Sequence, residues 1–391
     1  MLEQHIQSFQ GLFHSTPQIH ASAPGRINII GEHTDYNGGY VLPAAIHLRT
    51  HVFAARRPDD FVHARAENFG ESASFSLKSL GPSPKHHWTD YVQGICAVLR
   101  EEGFRLGGLN LLIWGDVPLG AGLSSSAALE ISLLRAVTGL FDICLPPEKI
   151  ARLGQKAEHE FAGVKCGLMD QFISVFGRKN QALFLDCETL AFEYYPLNLE
   201  KAGLIILVYD TQVRRTLAAS EYNKRRREAG AALDVLKAEG AAGYKTATLE
   251  MLESARGKME AVPYKRARHI IREDERVKQT VAALKKDDFL SVGRYLFQSH
   301  ESLRDDYEVS SAELDLVYDL GRDFPDCYGA RMVGAGFGGS AIALIKASAE
   351  DAFKEKALEA ARQKRFPQPV FRDIFVGEGA SAVLLDQKGR L

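Results

Sequence analysis

The sequence feature that most constrains the fold is a run of glycines and serines between a predicted strand and a predicted helix. Residues 109–114 are apolar except for Asn110 and indicate a buried strand, and Gly120 and Gly122 follow within a few residues. Serines occupy positions 124–126, after which leucine and valine recur at helical spacing through residues 129–140. The chain is therefore expected to turn sharply from a strand into the N-terminus of a helix.

Such a turn is suited to binding a phosphate group. Glycines allow the backbone to approach a polyphosphate, the free N–H groups of the first helical turn point toward it, and the helix dipole favours its negative charge. A serine-capped helix after a glycine turn is the alternative without a ligand. The sequence contains no GxxxxGK[ST] pattern, which argues against a Walker-type phosphate loop.

A second glycine cluster at residues 334–339 formally matches the dinucleotide-binding pattern GxGxxG. That pattern must open a helix, whereas residues 340–345 here are apolar and indicate a strand. We therefore predict a glycine-rich β-turn that lines a ligand cleft, with a simple hairpin as the alternative.

Charged and polar residues flank a third glycine-bearing segment, at residues 24–39. Arg26 precedes a short apolar run, and Glu32, His33 and Asp35 follow it. Carboxylates and an imidazole in one loop can read the hydroxyl groups of a sugar, because each accepts hydrogen bonds in a defined direction. A zinc site is the less favoured alternative, since no third ligand with regular spacing is nearby.

A single aspartate, Asp170, lies in an otherwise apolar, glycine-containing segment at residues 166–171. It could cap a helix or be satisfied in the core, or it could orient and deprotonate a hydroxyl nucleophile. Glu158 could complete a Mg²⁺ site with a serine, because Mg²⁺ takes one or two protein oxygens together with phosphates and water. A surface position is the alternative for Glu158.

Length and composition restrict the class of protein. A chain of 391 residues is expected to form two domains with a cleft between them. The net charge of −2 argues against a nucleic-acid partner, and no stretch is apolar enough for a membrane span. Five cysteines without paired spacing indicate reduced thiols, and hence a cytoplasmic protein.

Secondary-structure patterns divide the chain near residues 190–215. Strand-like runs and helical periods alternate before that point, residues 215–322 are charge-dense and helical in pattern, and strands return at residues 330–345 and 370–376. We place an N-terminal domain at residues 1–200 and a C-terminal domain at residues 201–391.

The three glycine-bearing segments, in this order, resemble the signature motifs of the superfamily that contains galactokinase, homoserine kinase, mevalonate kinase and phosphomevalonate kinase. Within it, residues 25–43 resemble the galactokinase signature, as do residues 166–172, 220–223 and 299–310. The resemblance covers nearly the whole chain. It implies an α+β fold with an N-terminal α/β domain like ribosomal protein S5, a C-terminal α+β domain, and the active site between them.

The resemblance also implies residue roles. Asp170 would be the catalytic carboxylate, and Arg26 would neutralise charge on the transferred phosphoryl group. The sugar would contact Glu32, His33, Asp35, Asp170 and Tyr222. The ATP phosphates would lie against Gly120, Ala121, Gly122, Leu123, Ser124, Ser125 and Ser126, and Mg²⁺ would be held by Ser126 and Glu158. Trp88 and Tyr91 would lie near the adenine, with a core position as the alternative.

The activity implied is transfer of the ATP γ-phosphoryl group to the C1 hydroxyl of galactose. A kinase for N-acetylgalactosamine or arabinose, and a non-catalytic sensor of galactose and ATP, remain alternatives. The expected partners are galactose and ATP, with no nucleic acid or membrane, in a monomer or a weak homodimer. Relatives often carry Thr, Gly and Cys where this chain has Val333, Ala335 and Ser340, which bears on fine substrate preference.

Overall fold

The computed structural model describes residues 2–83, 87–214 and 218–386. The strands within these residues are β1 (Ile19–Asn28), β2 (Tyr40–Val41), β3 (Pro43–Arg57), β4 (Phe61–Ala66), β5 (Glu71–Ser76), β6 (Gly108–Gly115), β7 (Gln181–Asp186), β8 (Phe192–Pro196), β9 (Leu204–Asp210), β10 (Cys327–Val333), β11 (Ser340–Lys346), β12 (Val370–Ile374) and β13 (Ser381–Leu384). The α-helices are α1 (Leu2–Phe13), α2 (Thr89–Glu101), α3 (Ser125–Leu140), α4 (Pro147–Ala157), α5 (Met169–Phe176), α6 (Ala218–Ala238), α7 (Leu249–Ser254), α8 (Ala261–Leu284), α9 (Phe289–Asp305), α10 (Ala312–Asp323) and α11 (Glu350–Gln363).

The N-terminal half is built on a six-stranded sheet in the order β13-β1-β3-β6-β4-β5. Its pairs are antiparallel except for β4 and β6, which run parallel. Helices α3 and α5 pack on β1 and β3, and α1 contacts β6. The buried helix α3 therefore begins next to strand β1, which brings the serine cluster close to Arg26.

The C-terminal half is built on a four-stranded antiparallel sheet in the order β10-β11-β9-β12. Helices α9 and α10 pack on strand β10, and the long helix α8 packs between α6 and α9. A small three-stranded sheet, β2-β7-β8, completes the described strands. The glycine cluster at residues 334–339 is the turn that joins β10 to β11.

A continuous apolar cluster joins the two halves. It contains Ile27 and Leu123 from the N-terminal half together with Val277, Val333 and Ile342 from the C-terminal half, and all five are buried. Because burial of apolar surface is the main stabilising term in folding, this shared cluster holds the two sheets in one arrangement. The facing loops of the two halves are thereby held at a fixed separation.

The predicted pattern of strands and helices is largely present. The strand before the serine cluster, the strand after the second glycine cluster, and the helical stretch that begins at residue 218 are all formed; residues 215–217 lie outside the described residues. Apolar residues at positions 150, 153, 157 and 161 have helical spacing and predict one α-helix that includes Phe161. Helix α4 instead ends at Ala157, and the chain continues as a π-helical turn over Glu158–Ala162. Such turns often occur at functional sites.

The end of the chain returns to the first sheet. Strand β13 pairs with β1, with Leu384 opposite Ile19. The predicted C-terminal domain, residues 201–391, therefore contributes strand β13 to the sheet of the N-terminal half. The two-domain division stays a prediction. None of the helices in the described parts of the chain is both long enough and apolar enough to cross a membrane.

Candidate active site

A cavity of about 390 Å³ opens between the two halves of the molecule. Its walls come from all three glycine-bearing segments and from the segment that carries Asp170. The predicted site residues that line it are Arg26, Glu32, His33, Asp35, Gly120, Gly122, Ser126, Glu158, Asp170 and Tyr222. Residues separated by almost 200 positions in the sequence thus share one concave surface.

Residues 120–126, which we call the phosphate loop, have the backbone that the glycines predict. Gly120 and Gly122 have φ angles of 65° and 75°, in the left-handed region that favours glycine. Ser124 has the same left-handed geometry, with φ 60°, and helix α3 begins directly after it. The free N–H groups in the first turn of α3 therefore lie at the end of the helix that borders the cavity, where they can bind an anion.

The turn at residues 334–339 packs directly against the phosphate loop. A Cβ atom at Gly122 would lie 2.8 Å from the carbonyl oxygen of Val333, and one at Gly334 would lie 2.8 Å from that of Gly122. Only glycines allow the two backbones to come this close. The second glycine cluster is therefore a hairpin turn that also forms a wall of the cavity. That a ligand binds against this turn stays a prediction.

Arg26 and Asp170 form a bidentate ion pair in the cavity. Nε and Nη2 of Arg26 each donate to one carboxylate oxygen of Asp170, both at 2.9 Å. Arg26 also donates to the carbonyl oxygen of Gly122, and Ser124 donates its hydroxyl to Asp170. The pair is therefore tied to the phosphate loop at two points.

The backbone beside Arg26 lies directly against the phosphate loop. The pairing of β1 with β3 is irregular here, because Pro24 and Arg26 lie opposite Arg49 and Ala45, so the extra residues are on β3. A Cβ atom at Gly25 would lie 2.5 Å from the carbonyl oxygen of Leu123, so only glycine at this position allows β1 to come this close to the phosphate loop. The backbone N–H of Arg26 donates to that same carbonyl at 3.0 Å.

Residues 31–35, which we call the sugar loop, begin with a carboxylate that protein groups already satisfy. One oxygen of Glu32 accepts from Nη2 of Arg331 at 2.6 Å and from the N–H of Gly334 at 2.8 Å. The other accepts from Nδ2 of Asn28 at 2.9 Å. Glu32 therefore links the sugar loop to the turn at residues 334–339, in addition to lining the cavity.

His33 and Asp35 present groups with perturbed protonation. Burial is the main cause that lowers the pKa of His33 to about 3, so the imidazole is neutral. Burial, reinforced by the negative charge of Asp170, raises the pKa of Asp35 to about 7. Gly167 makes room for the Asp35 carboxylate, since a Cβ atom there would lie 1.9 Å from Oδ2.

Aromatic rings surround His33. The ring centroid of Tyr222 lies 5.5 Å from that of His33, and the centroid of Tyr307 lies 4.8 Å from it. Nδ1 of His33 is 2.9 Å from the hydroxyl of Tyr36, which in turn is 2.9 Å from the hydroxyl of Tyr307. Rings and hydroxyls together suit a sugar, which offers both C–H faces and polar edges.

Helix α8 holds the sugar loop from behind. Oε1 of the buried Glu273 accepts from the N–H of Gly31 at 3.0 Å, and Nε2 of His269 lies 3.0 Å from the carbonyl oxygen of Glu32. Burial opposes ionisation of Glu273, but the charge of Arg276, with smaller contributions from His269 and Arg331, lowers its pKa to about 2. The loop is therefore fixed by a charged residue about 240 positions away.

Ser126 and Glu158 meet at the N-terminus of α3. Glu158 lies only 6% exposed, so the alternative of a surface position is wrong. Burial raises the pKa of its carboxyl, while hydrogen bonds from Cys166, Ser126 and Gln171 lower it. Among the described residues, no group of three or more His, Cys, Asp or Glu side chains is arranged for a metal ion. One serine and one carboxylate beside a phosphate loop nevertheless fit Mg²⁺, which takes its other ligands from phosphates and water.

Trp88 and Tyr91 line a neighbouring cavity of about 290 Å³, with Leu119, Ser125 and Ser126. Ser126 therefore borders both cavities. Nε1 of Trp88 donates to Glu71 at 2.8 Å, and burial raises the pKa of Tyr91 well above its usual value. The two aromatic residues are thus at a cavity wall rather than wholly inside the core.

Ala121 and Leu123 do not line the cavity and instead pack in the shared apolar cluster. Conversely, the cavity is lined by Arg214, which the sequence analysis missed. Its guanidinium donates to both oxygens of the buried Asp210, at 2.9 and 2.8 Å, and its Nε donates to the carbonyl oxygen of Leu119 at 3.1 Å. The sequence did contain a signal for Arg214: Asp210 ends a buried strand, and an arginine of opposite charge follows four residues later.

Family models match three parts of the chain. Residues 7–56 match the galactokinase galactose-binding signature, residues 90–178 match the GHMP kinases N terminal domain, and residues 280–363 match the GHMP kinases C terminal model. The first match contains the sugar loop and the second contains the phosphate loop and Asp170.

Whole-length relatives carry the same assignment. A galactokinase from Thermotoga petrophila is 42% identical over 362 residues, which cover 92% of this chain and 99% of the relative. A galactokinase from Staphylococcus carnosus is 40% identical over 389 residues, which cover 98% of this chain and 100% of the relative.

Solved structures agree with these relatives. The galactokinase of Lactococcus lactis, complexed with galactose, superposes with a TM-score of 0.93 at 35% identity and covers 97% of this chain and 99% of its own. The mevalonate kinase of Methanococcus jannaschii matches with a TM-score of 0.66 at 19% identity, covering 92% of this chain and 98% of its own, and so shares the fold. The α+β fold expected from the resemblance is confirmed, and the chain is an enzyme of the galactokinase family of GHMP kinases.

Proposed function

We propose that this protein transfers the γ-phosphoryl group of ATP to the C1 hydroxyl of galactose, which gives galactose 1-phosphate and ADP. The observation that carries the proposal is the Arg26–Asp170 pair, which lies between the sugar loop and the phosphate loop and is bonded to the latter. A group that bridges the two substrates belongs where the phosphoryl group moves. The relatives that cover the whole chain are galactokinases, which supports galactose as the sugar.

Galactose would bind in the main cavity against Glu32, His33, Asp35, Tyr222 and Asp170. The neutral imidazole of His33 and the carboxyl of Asp35 can each exchange a hydrogen bond with a sugar hydroxyl. The tyrosine ring offers an apolar face for the C–H side of the sugar. Discrimination between hydroxyl epimers follows when a buried polar group is left without a partner by the wrong sugar.

ATP would place its phosphates on residues 120–126 and its adenine in the cavity lined by Trp88 and Tyr91. The glycine backbone and the N-terminus of α3 favour the polyphosphate, and Arg214 adds a cation at the cavity wall. Ser126 and Glu158 would hold Mg²⁺. A bound Mg²⁺ supplies charge neutralisation at the phosphate oxygens.

In the reaction the C1 oxygen forms a bond to the γ-phosphorus while the bond to the bridging oxygen of ADP breaks. Both oxygens of Asp170 accept hydrogen bonds from Arg26, which fixes the orientation of the carboxylate. Asp170 orients the C1 hydroxyl and takes its proton late, because a loose transition state needs little early activation of the nucleophile. The guanidinium of Arg26 stabilises charge on the phosphoryl group.

A coupled ADP-release assay with galactose, N-acetylgalactosamine, glucose, arabinose and mevalonate tests the proposal. We expect turnover on galactose and strong discrimination against glucose. The variant Asp170→Asn should lower kcat by about 10²–10⁴-fold while galactose binding, measured by calorimetry, is kept.

Other outcomes assign the alternatives. Turnover mainly on N-acetylgalactosamine or arabinose would change the substrate and leave the mechanism. Binding of galactose and ATP without turnover would indicate a sensor. A cytoplasmic location and a monomeric or weakly dimeric state stay predictions from the sequence.

A further inference from the structure

The carboxylate of Glu158 accepts hydrogen bonds from two neighbouring side chains. Glu158 extends from the π-helical turn after α4, and its Oε2 accepts from Nε2 of Gln171 at 2.7 Å and from Sγ of Cys166 at 3.1 Å. Gln171 is fully buried on α5, next to Asp170 in sequence. Gln171 does not line the cavity, so its amide contacts Glu158 from within the protein core.

The same amide group is shared with a second carboxylate. Nε2 of Gln171 also donates to Oε2 of Glu130 at 2.9 Å, and Glu130 is completely buried on α3. One NH₂ group offers two hydrogens, and each carboxylate takes one of them. This orientation of the amide is assigned from its contacts, because in the reverse orientation the amide oxygen would face the Glu158 carboxylate, which is itself an acceptor.

Stability does not account for Glu130. A buried carboxyl with incomplete hydrogen bonding destabilises a fold, and Oε1 of Glu130 has no protein partner in the parts of the chain that the structure describes. The helix positions around it, Ala127 and Ile131, are apolar and fully buried. An apolar residue at 130 would therefore suit the core better, which indicates that Glu130 serves the site.

Three helical segments meet at this amide: α3 with Glu130, α5 with Gln171, and the π-helical turn with Glu158. Since α3 begins at the end of the phosphate loop and α5 carries Asp170, the amide connects the Glu158 carboxylate to both. Groups one step removed from a metal ligand commonly fix its orientation.

We propose that Gln171 and Glu130 are positioning residues, which orient the Glu158 carboxylate toward the divalent cation of the nucleotide. The inference rests on the proposed role of Glu158 as a Mg²⁺ ligand. Glu130 acts through Gln171: its carboxyl oxygen takes one amide hydrogen, which leaves the other directed at Glu158. Neither residue is proposed to touch substrate.

The test is calorimetric titration of Mg²⁺ into the protein saturated with a non-hydrolysable ATP analogue, together with the Mg²⁺ dependence of turnover. Gln171→Met and Glu130→Met remove the donor and its acceptor with little change of volume. Each should weaken Mg²⁺ binding by about 10–100-fold, while the KM for galactose stays unchanged. Glu130→Gln should restore wild-type Mg²⁺ binding, because an amide oxygen accepts as a carboxylate oxygen does.

Two further variants make the result specific. Thr138→Val removes a buried hydroxyl on the same helix, bonded only to the backbone at Leu134 and Arg135, and should leave Mg²⁺ binding unchanged. Gln171→Glu replaces the donor by a third acceptor and should weaken Mg²⁺ binding as Gln171→Met does. Circular dichroism would show whether the methionine variants fold. If they do not, Gln171→Glu still tests whether the amide donor of Gln171 supports Mg²⁺ binding.

The outcomes separate the inference from the function. If Glu158→Gln loses Mg²⁺ binding while Gln171→Met and Gln171→Glu keep it, the positioning role is wrong and the metal assignment stands. If Glu158→Gln also keeps it, the metal assignment itself fails, and the positioning role fails with it. If Glu130→Gln behaves like Glu130→Met, Glu130 does not act as a hydrogen-bond acceptor.

Discussion

The phosphate loop and the sugar loop line the same cavity but are built by different means. Residues 120–126 owe their shape to glycines at positive φ and to the start of α3, so under the proposed function they would bind mainly through backbone N–H groups. Residues 31–35 owe theirs to buried side chains of α8, and under the same proposal they would bind through side chains. The first loop is therefore determined locally, whereas the second depends on residues that are remote in sequence.

The difference predicts different vulnerabilities. A backbone site tolerates many side-chain changes and fails when a methyl group blocks the close approach of two backbones. A side-chain site fails when a distant supporting charge is removed. Two changes test this contrast, in order of decreasing effect on activity, and a third tests the protonation of a sugar-loop side chain through its effect on stability.

Gly122→Ala should have the largest effect. The new Cβ atom would lie 2.8 Å from the carbonyl oxygen of Val333, which is backbone, at a φ of 75°. The left-handed geometry alone costs about 1–2 kcal/mol, and the displaced loop should lower kcat/KM for ATP by about 10²–10³-fold. Steady-state kinetics and thermal unfolding measure both.

Gly230→Ala is the matched control for that change. It lies inside α6 with open space around its Cβ position, and should leave kinetics unchanged and stability equal or higher by about 0.4–1 kcal/mol. Wild-type kinetics in Gly122→Ala would contradict the local origin of the phosphate loop.

Glu273→Gln should impair the sugar side selectively. The amide keeps an acceptor for the N–H of Gly31 but removes the negative charge that pairs with Arg276. Loss of a charge-assisted hydrogen bond is worth about 1.5–3 kcal/mol, so the KM for galactose should rise by roughly tenfold or more while the KM for ATP stays constant.

Glu275→Gln, on the exposed side of the same helix, removes an equal charge and should change neither KM. If the KM values for ATP and galactose rise together in Glu273→Gln, the support from α8 is not specific to the sugar loop.

Asp35→Asn should change the free energy of unfolding little at low pH and increasingly as the pH rises toward 7. The folded-state pKa of Asp35 is raised from 3.8 to about 7, so the folded protein holds a proton that the unfolded chain has lost between these values. Wild-type stability therefore falls as the pH rises from about 4 to about 7, and asparagine, which mimics the protonated acid, removes that part of the fall.

The measurement is the free energy of unfolding of both proteins between pH 4 and 8. The exposed Asp142→Asn controls for loss of a surface carboxylate. Parallel curves for wild type and Asp35→Asn would contradict the buried, raised pKa. Asp274, whose pKa burial raises to about 7, should leave some pH dependence in the variant.

Some of the candidate site follows from sequence because its signal is local. Glycines and serines between an apolar strand and an amphipathic helix predict the phosphate loop, and an apolar run after residues 334–339 predicts a hairpin rather than a dinucleotide fold. Each signal arises from residues within about thirty positions of each other. The roles of Trp88, Tyr91, Glu158 and Asp170 came from a family resemblance and stay proposals.

Other features carry a weak local signal or none. Arg214 lines the cavity because β9 ends beside the phosphate loop, and the burial of Glu158 follows from a π-helical turn that a helical period does not show. Gln171 and Glu130 look like ordinary polar positions on two amphipathic helices until α3 and α5 pack together.

The sequence by itself determined the elements, the glycine turns and the family, since backbone preference, hydrophobic period and motif order act or appear along the chain. Only the tertiary structure decided which remote groups meet. The ion pairs are Arg26 with Asp170 and Glu32 with Arg331, the carboxylate of Glu273 accepts from the backbone of Gly31, and strand β13 pairs with β1. The physical reason is that these contacts join residues 100 to 360 positions apart. Their geometry depends on the packing of two sheets around a shared apolar cluster, which no short stretch of sequence specifies.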